Sequence, residues 1–192
     1  MAKQFIYPFT FGDKSKSDLL GGKGANLAEM VQMGLPVPPG FTITTDACRE
    51  YLTTGTVPSL LQDQIRISLA NLEKVVGKSF GDASNPLLVS VRSGAKHSMP
   101  GMMETVLNVG MSQEVATTLE KMTGDSRFAW DSYRRFIEMF GKTVCDIPSE
   151  AFAKVAAPLI AAAGGKTIAD LDGPALRKAG DAFVEVVEKH TG

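Results

Sequence analysis

Positively charged side chains follow the most apolar strand-like segment of the chain, and this order suits the binding of phosphate. The segment Leu87–Val91 runs into Arg92, and Lys96 and His97 come within the next five residues. A guanidinium can bind a phosphate group through two parallel hydrogen bonds, and phosphates are commonly bound where strands end in α/β proteins. We therefore interpret Arg92 as a candidate phosphate ligand. The alternative is a solvated arginine at the end of a strand.

The segment that follows Arg92 carries glycine, proline and three of the nine methionines of the chain. Methionines beside glycine and proline are unfavourable in an exposed loop unless they cover an apolar ligand or another domain. A glycine can also bring its backbone N–H close to a phosphate oxygen. A plain turn remains the alternative. The candidate ligand-binding residues are Ser98, Met99, Pro100, Gly101, Met102, Met103, Glu104 and Thr105.

A second lysine-containing glycine motif, Gly21-Gly-Lys-Gly24, precedes an apolar helical pattern. N–H groups at the start of a helix, together with one ammonium group, favour an anionic ligand. Lys23 is therefore a second candidate phosphate ligand, and a flexible turn with a solvated lysine is the alternative. The motif is not a Walker A loop, which requires Gly-x-x-x-x-Gly-Lys-Ser/Thr.

Strands and loops dominate residues 1–110 and helices dominate residues 111–192, so the pattern predicts an α+β fold with a helical subdomain. The helix after Gly24 is expected to bury Leu27, Met30 and Val31, and Ser149 is expected to cap a later helix. The strands are predicted at residues 4–11, 41–44, 87–91 and 105–109, the last two forming a hairpin. The longest helices are predicted at 59–76, 112–122, 127–140 and 174–190, and a further helix from 149 is kinked or ended near Pro158.

The composition restricts the classes of partner. The 192 residues carry 20 basic and 21 acidic side chains, for a net charge of −1, which argues against non-specific binding to nucleic acid or to an anionic membrane. No segment is long and apolar enough to span a bilayer, and two distant cysteines suit a reducing compartment, so we expect a cytoplasmic protein. Asp170 and Asp172 are interpreted as helix caps, and no metal ligand is predicted.

These motifs resemble those of the pyruvate, phosphate dikinase family, whose nucleotide-binding domain has the ATP-grasp fold. The resemblance lies in Leu20-Gly-Gly-Lys-Gly-Ala-Asn-Leu-Ala-Glu-Met30, Gly34-Leu-Pro-Val-Pro-Pro-Gly-Phe41 and Val91-Arg-Ser-Gly-Ala-Lys-His-Ser-Met-Pro-Gly-Met-Met-Glu-Thr-Val-Leu-Asn108. It implies the first part of an ATP-grasp domain, with a small mixed or antiparallel sheet and flanking helices. It also implies that Lys23 and Arg92 bind the phosphates of ATP, that Arg92 is catalytic, and that residues 98–105 cover the phosphates.

The resemblance further implies the reaction of ATP, phosphate and pyruvate to AMP, pyrophosphate and phosphoenolpyruvate through a phosphohistidine outside this chain. Mg²⁺ would accompany ATP, with its ligands also outside the chain, and the full-length enzyme would be a homodimer. The chain would then be a fragment that is inactive alone. Two alternatives remain open, namely a fragment of phosphoenolpyruvate synthase and a short non-catalytic module that binds nucleotide or docks another protein.

Overall fold

A computed structural model describes residues 3–93 and 105–192. The described residues form two compact units, one made of residues 3–78 and Ser93 and the other of residues 79–92 and 105–192. The division into domains at residue 110 stays a prediction. The elements are β1 (Ile6–Pro8), α1 (Ser17–Gln32), β2 (Phe41–Ile43), α2 (Thr45–Thr54), α3 (Ser59–Val76), β3 (Val89–Arg92), β4 (Thr105–Val109), α4 (Gln113–Thr123), α5 (Ser126–Val144), α6 (Ser149–Ala162) and α7 (Gly173–Thr191).

The α+β class is confirmed, but the strands form two separate two-stranded antiparallel sheets, β1–β2 and β3–β4. In the first, Ile6 lies opposite Ile43 and Pro8 opposite Phe41. The strand predicted over residues 4–11 is shorter than expected, because the chain turns after Pro8 and the Phe11 N–H donates back to the Pro8 carbonyl at 2.9 Å. The sheet packs on the buried side chains of Phe5, Ile6, Ala47 and Leu61.

Helix α1 buries a different face from the one that its apolar residues predicted. The buried residues are Leu20, Gly21, Gly24, Ala25 and Ala28, whereas Met30 is 40% exposed. Small residues on this face allow a closer approach to neighbouring backbone than leucine or methionine would. Of the predicted stripe, Leu27 and Val31 are half-buried and Met30 is exposed, so the stripe was wrong only as a description of the fully buried face.

The sequence predicted helix α3 of the first unit more closely than α1. Its bounds, Ser59–Val76, are those predicted. Leu61 and Leu72 are buried on one face, and Gly77 ends the helix with φ at +71°, a conformation that favours glycine.

The second unit combines the β3–β4 hairpin with helices α4 to α7. The predicted hairpin is confirmed, with Val89 opposite Val109 and Val91 opposite Val106. Ser149 does not cap α6; Pro148 holds the capping position and no side chain bonds there, while Asp172 caps α7 as expected. The main core contains Met111, Val115, Ala116, Trp130, Tyr133, Leu171, Leu176 and Ala179.

Candidate functional site

Lys23 lies just after a break in helix α1. Gly21 has φ 68° and ψ 166°, which are not helical angles, and a positive φ strongly favours glycine over other residues. The break separates the first four residues of α1 from the longer part that begins at Gly22. Lys23 is therefore in the first turn after the break, in agreement with the predicted glycine turn that leads into a helix.

The ammonium group of Lys23 contacts the chain at Ser93. Its Nζ donates a hydrogen bond of 2.9 Å to the Ser93 carbonyl oxygen, across 70 residues of sequence. Ser93 follows Arg92 and is the first residue of the segment that leads into the methionine-containing loop. A lysine ammonium has three donors and no acceptor, so one bond to a carbonyl leaves it able to bind an anion as well. The structure thus brings the glycine turn to the start of the second motif.

Arg92 and Thr105 are cross-strand neighbours in the hairpin of the second unit. Arg92 ends β3, Thr105 begins β4, and the antiparallel register sets the two residues opposite each other. Arg92 is exposed and Thr105 is half-buried. Directly opposed residues have Cβ atoms about 4.5–5.5 Å apart, so two of the predicted ligand residues share one end of this sheet.

Seven of the predicted ligand residues cannot be assigned a place. Ser98, Met99, Pro100, Gly101, Met102, Met103 and Glu104 lie outside the described residues, as do Lys96 and His97. The roles that the sequence suggests for them stay predictions.

Asp170 and Asp172, the carboxylates that the sequence placed at a helix start, accept backbone hydrogen bonds there. Within residues 3–93 and 105–192, no group of three histidine, cysteine, aspartate or glutamate side chains could hold a metal ion. Asp172 accepts a hydrogen bond of 2.9 Å from the Ala175 N–H at the start of α7. Asp170 accepts bonds of 2.8 Å from the N–H groups of Lys166 and Thr167, and these bonds lower the pKa of its carboxyl below the usual value.

Sequence reasoning missed two residues that surround the glycine turn. One is Ser93, whose backbone carbonyl accepts the Lys23 bond; a backbone acceptor leaves no signature in residue type. The other is Thr42 of β2, whose side chain lies directly beside Gly24. The glycine signalled that some group must approach closely at that position, but the identity of that group depends on the tertiary fold.

None of the helices in the described part of the chain is long and apolar enough to cross a membrane.

Comparison with known proteins gives a consistent match. A family model described as the AMP/ATP-binding domain of pyruvate phosphate dikinase matches residues 17–74. The chain is 52% identical over 160 residues to pyruvate, phosphate dikinase of Rhizobium meliloti. The matched region is 81% of this chain and 18% of that protein. The chain belongs to the pyruvate, phosphate dikinase family. The resemblance inferred from the three motifs is thereby confirmed.

Two other relatives show the extent of the similarity. Pyruvate, phosphate dikinase of Clostridium symbiosum is 51% identical over 156 residues, with 81% of this chain and 18% of that protein covered. That of Entamoeba histolytica is 42% identical over 189 residues, with 98% of this chain and 21% of that protein covered. The chain therefore spans about a fifth of the length of these relatives. The matched AMP/ATP-binding domain includes Lys23 but ends before Arg92.

Proposed function

We propose that this chain forms part of the ATP site of a pyruvate, phosphate dikinase. The complete enzyme would convert ATP, phosphate and pyruvate into AMP, pyrophosphate and phosphoenolpyruvate through a phosphohistidine carried by another part of the polypeptide. The match of residues 17–74 to an AMP/ATP-binding domain supports the nucleotide, and the relatives named pyruvate, phosphate dikinase support the reaction. The isolated chain would bind ATP weakly and would not turn it over.

The bond between Lys23 and Ser93 carries the proposal. It joins the glycine turn inside the matched domain to the residue that begins the segment with Gly101. Two motifs that are 70 residues apart and that each suggest phosphate binding therefore meet at one point. The lysine that the glycine turn supplies as a candidate phosphate ligand is itself the group that makes this contact.

In this proposal Lys23 and Arg92 neutralise the negative charge of the ATP phosphates as it is redistributed during transfer. Positioning and electrostatic stabilisation account for most of the catalysis of phosphoryl transfer. The backbone around Gly101 would donate N–H bonds to the same oxygens, and Thr105 would close the far end of the loop. The domain would have the ATP-grasp fold, the Mg²⁺ that accompanies ATP would be bound by other parts of a cytoplasmic homodimer, and neither nucleic acid nor a membrane would be a partner.

The test is a titration of the 192-residue chain with Mg·ATP, followed by amide chemical shifts, which detect millimolar affinities. Lys23→Met and Arg92→Met keep the length of the side chain and remove its charge. Each removed charged hydrogen bond contributes about 1.5–3 kcal/mol, so each variant should bind about 10- to 100-fold more weakly. Lys74→Met and Arg66→Met, both on exposed positions of α3, are the matched controls and should bind as the unaltered chain does.

Equal affinities for the site variants and the controls would contradict the assignment of these ligands. Absence of any shift in the unaltered chain would contradict ATP binding by this segment. The alternative function is that of a phosphoenolpyruvate synthase. An assay of a full-length family enzyme that contains this segment separates the two functions. Turnover there should require inorganic phosphate and release pyrophosphate, whereas a synthase would release phosphate without that requirement.

A further inference from the structure

Gly24 of the glycine turn lies close against the side chain of Thr42 in β2. A Cβ atom added to Gly24 would lie 2.8 Å from both Cγ2 and Oγ1 of Thr42 and 3.2 Å from Cβ of Leu20. Carbon atoms in van der Waals contact lie about 3.5–4.0 Å apart. Any residue other than glycine at this position would therefore force α1 and β2 apart.

The Thr42 side chain cannot rotate out of this contact. Threonine has two heavy atoms on Cβ and three staggered positions around χ1. Both heavy atoms now flank Gly24, so a rotation moves one of them away and leaves the other facing the helix. A flexible side chain would yield to an added methyl group, whereas Thr42 does not.

The strand that carries Thr42 is held firmly within the first unit. Thr42 lies opposite Tyr7 in the β1–β2 ladder, and the N–H of Thr44, two residues further on, donates to the Phe5 carbonyl at 2.8 Å. Thr44 is buried and its hydroxyl accepts a bond from the N–H of Ala47 at the start of α2. Relief of a clash at Gly24 would therefore move the glycine turn rather than the strand.

We infer that the contact between Gly24 and Thr42 positions the glycine turn, and with it Lys23, for binding the phosphates of ATP. This inference rests on the proposed function and adds Thr42 to it as a positioning residue. Lys23 precedes Gly24 directly and extends to the Ser93 carbonyl, 2.9 Å away. A shift of several tenths of an ångström at Gly24 would displace the backbone of Lys23 and the N–H groups of the turn together.

The test uses the 192-residue chain with Gly24→Ala, alone and combined with two substitutions of Thr42. Thr42→Ser leaves one heavy atom, which can occupy the staggered position that points away from the helix. Thr42→Val keeps the branched shape and both heavy atoms. Affinity for Mg·ATP is measured from amide shifts of the folded protein, so that a change in the folded fraction does not enter, and thermal denaturation is measured in parallel.

Gly24→Ala should bind Mg·ATP about tenfold more weakly, because small displacements of positioning groups cost this much or more. The double variant with Thr42→Ser should recover most of the original affinity and thermal stability, because the contacts with Thr42 are relieved while the one with Cβ of Leu20 at 3.2 Å remains, and alanine is favoured over glycine inside a helix. The double variant with Thr42→Val should not recover. If Gly24→Ala alone does not fold, the two double variants decide the question, and identical behaviour of both overturns the inference.

The outcomes separate this inference from the function on which it rests. If Lys23→Met weakens ATP binding while Gly24→Ala does not, the positioning role of Thr42 is wrong and the phosphate site stands. If Lys23→Met has no effect, the proposed role of the turn fails and the inference fails with it. Rescue by Thr42→Ser in thermal stability but not in affinity would reduce the contact to a packing role and also overturn the inference.

Discussion

Arg134 of helix α5 is buried, and replacing it with methionine should destabilise the helical unit strongly. Its Nε and Nη2 donate to one carboxylate oxygen of Asp131 at 3.0 and 2.8 Å, and its Nη1 donates to Glu138 at 2.6 Å. The guanidinium also lies 5.9 Å from the ring centroid of Phe183 on α7. Methionine retains most of the packing length but leaves both carboxylates without their buried partner.

The size of this loss in stability depends on how accessible the cluster is to water. Removing one partner of a fully buried ion pair costs about 3–5 kcal/mol. The side chains of Asp131 and Glu138 are 24% and 30% exposed, so each can regain part of its hydration when the guanidinium is lost. We therefore expect Arg134→Met to lower the free energy of unfolding by about 2–4 kcal/mol, between the exposed and buried limits.

The neighbouring Arg135 provides a matched control. It faces the same Asp131 across 3.7 Å, but its side chain is 66% exposed, so Arg135→Met should change stability by at most about 0.5 kcal/mol. The assay is urea denaturation followed by the fluorescence of Trp130, which is the only tryptophan of the chain and lies in the same helix. Equal losses for the two variants would refute the reasoning that burial, rather than pairing itself, determines the value of this cluster.

Two further changes test helix packing and capping. Gly180→Ala would bring a Cβ to 2.6 Å from two ring carbons of the buried Tyr133 and should destabilise the protein by about 1–3 kcal/mol despite the better helix propensity of alanine, measured by the same urea assay. The folded-state pKa of Asp170 is lowered by the N–H groups of Lys166 and Thr167, so its stabilisation is present above about pH 4 and is lost as the pH falls through the lowered pKa. Asp170→Asn should therefore lower the melting temperature at neutral pH, and the difference from the unaltered chain should shrink towards about pH 3; a constant difference would show that the charge is not involved.

Local patterns predicted those elements whose ends and faces are determined by their own residues. Helix α3 has both predicted ends, and Gly77 follows its last residue as a left-handed cap. Strand β4 has its predicted bounds, and Ser112 caps α4 through a bond from the Val115 N–H. In each case a cap or an apolar period within about one turn of sequence carries the information.

Features that depend on distant partners were not predictable in this way. The buried face of α1 follows from the break at Gly21 and from the approach of Gly24 to Thr42, neither of which hydrophobic spacing reveals. Met122 of α4 is 71% exposed although it is spaced at a helical period from the buried Val115, because periodicity alone does not define how much of a helix surface is covered. The candidate site also combines a locally encoded feature with one that depends on a distant partner. Residue types identified Lys23 but not the Ser93 carbonyl that accepts its hydrogen bond.

Strands β3 and β4 pair the two sequence segments of the second unit, residues 79–92 and 105–192, so a cut between the strands would divide that unit into two pieces. Cleavage after Lys96 would leave β3 on the N-terminal piece and β4 on the C-terminal piece, each retaining its half of the hairpin ladder. Leu87, buried just before β3, would remain with the N-terminal piece, so that piece would bring an apolar anchor as well as a strand. We therefore expect the two pieces of a split chain to associate through pairing of β3 with β4.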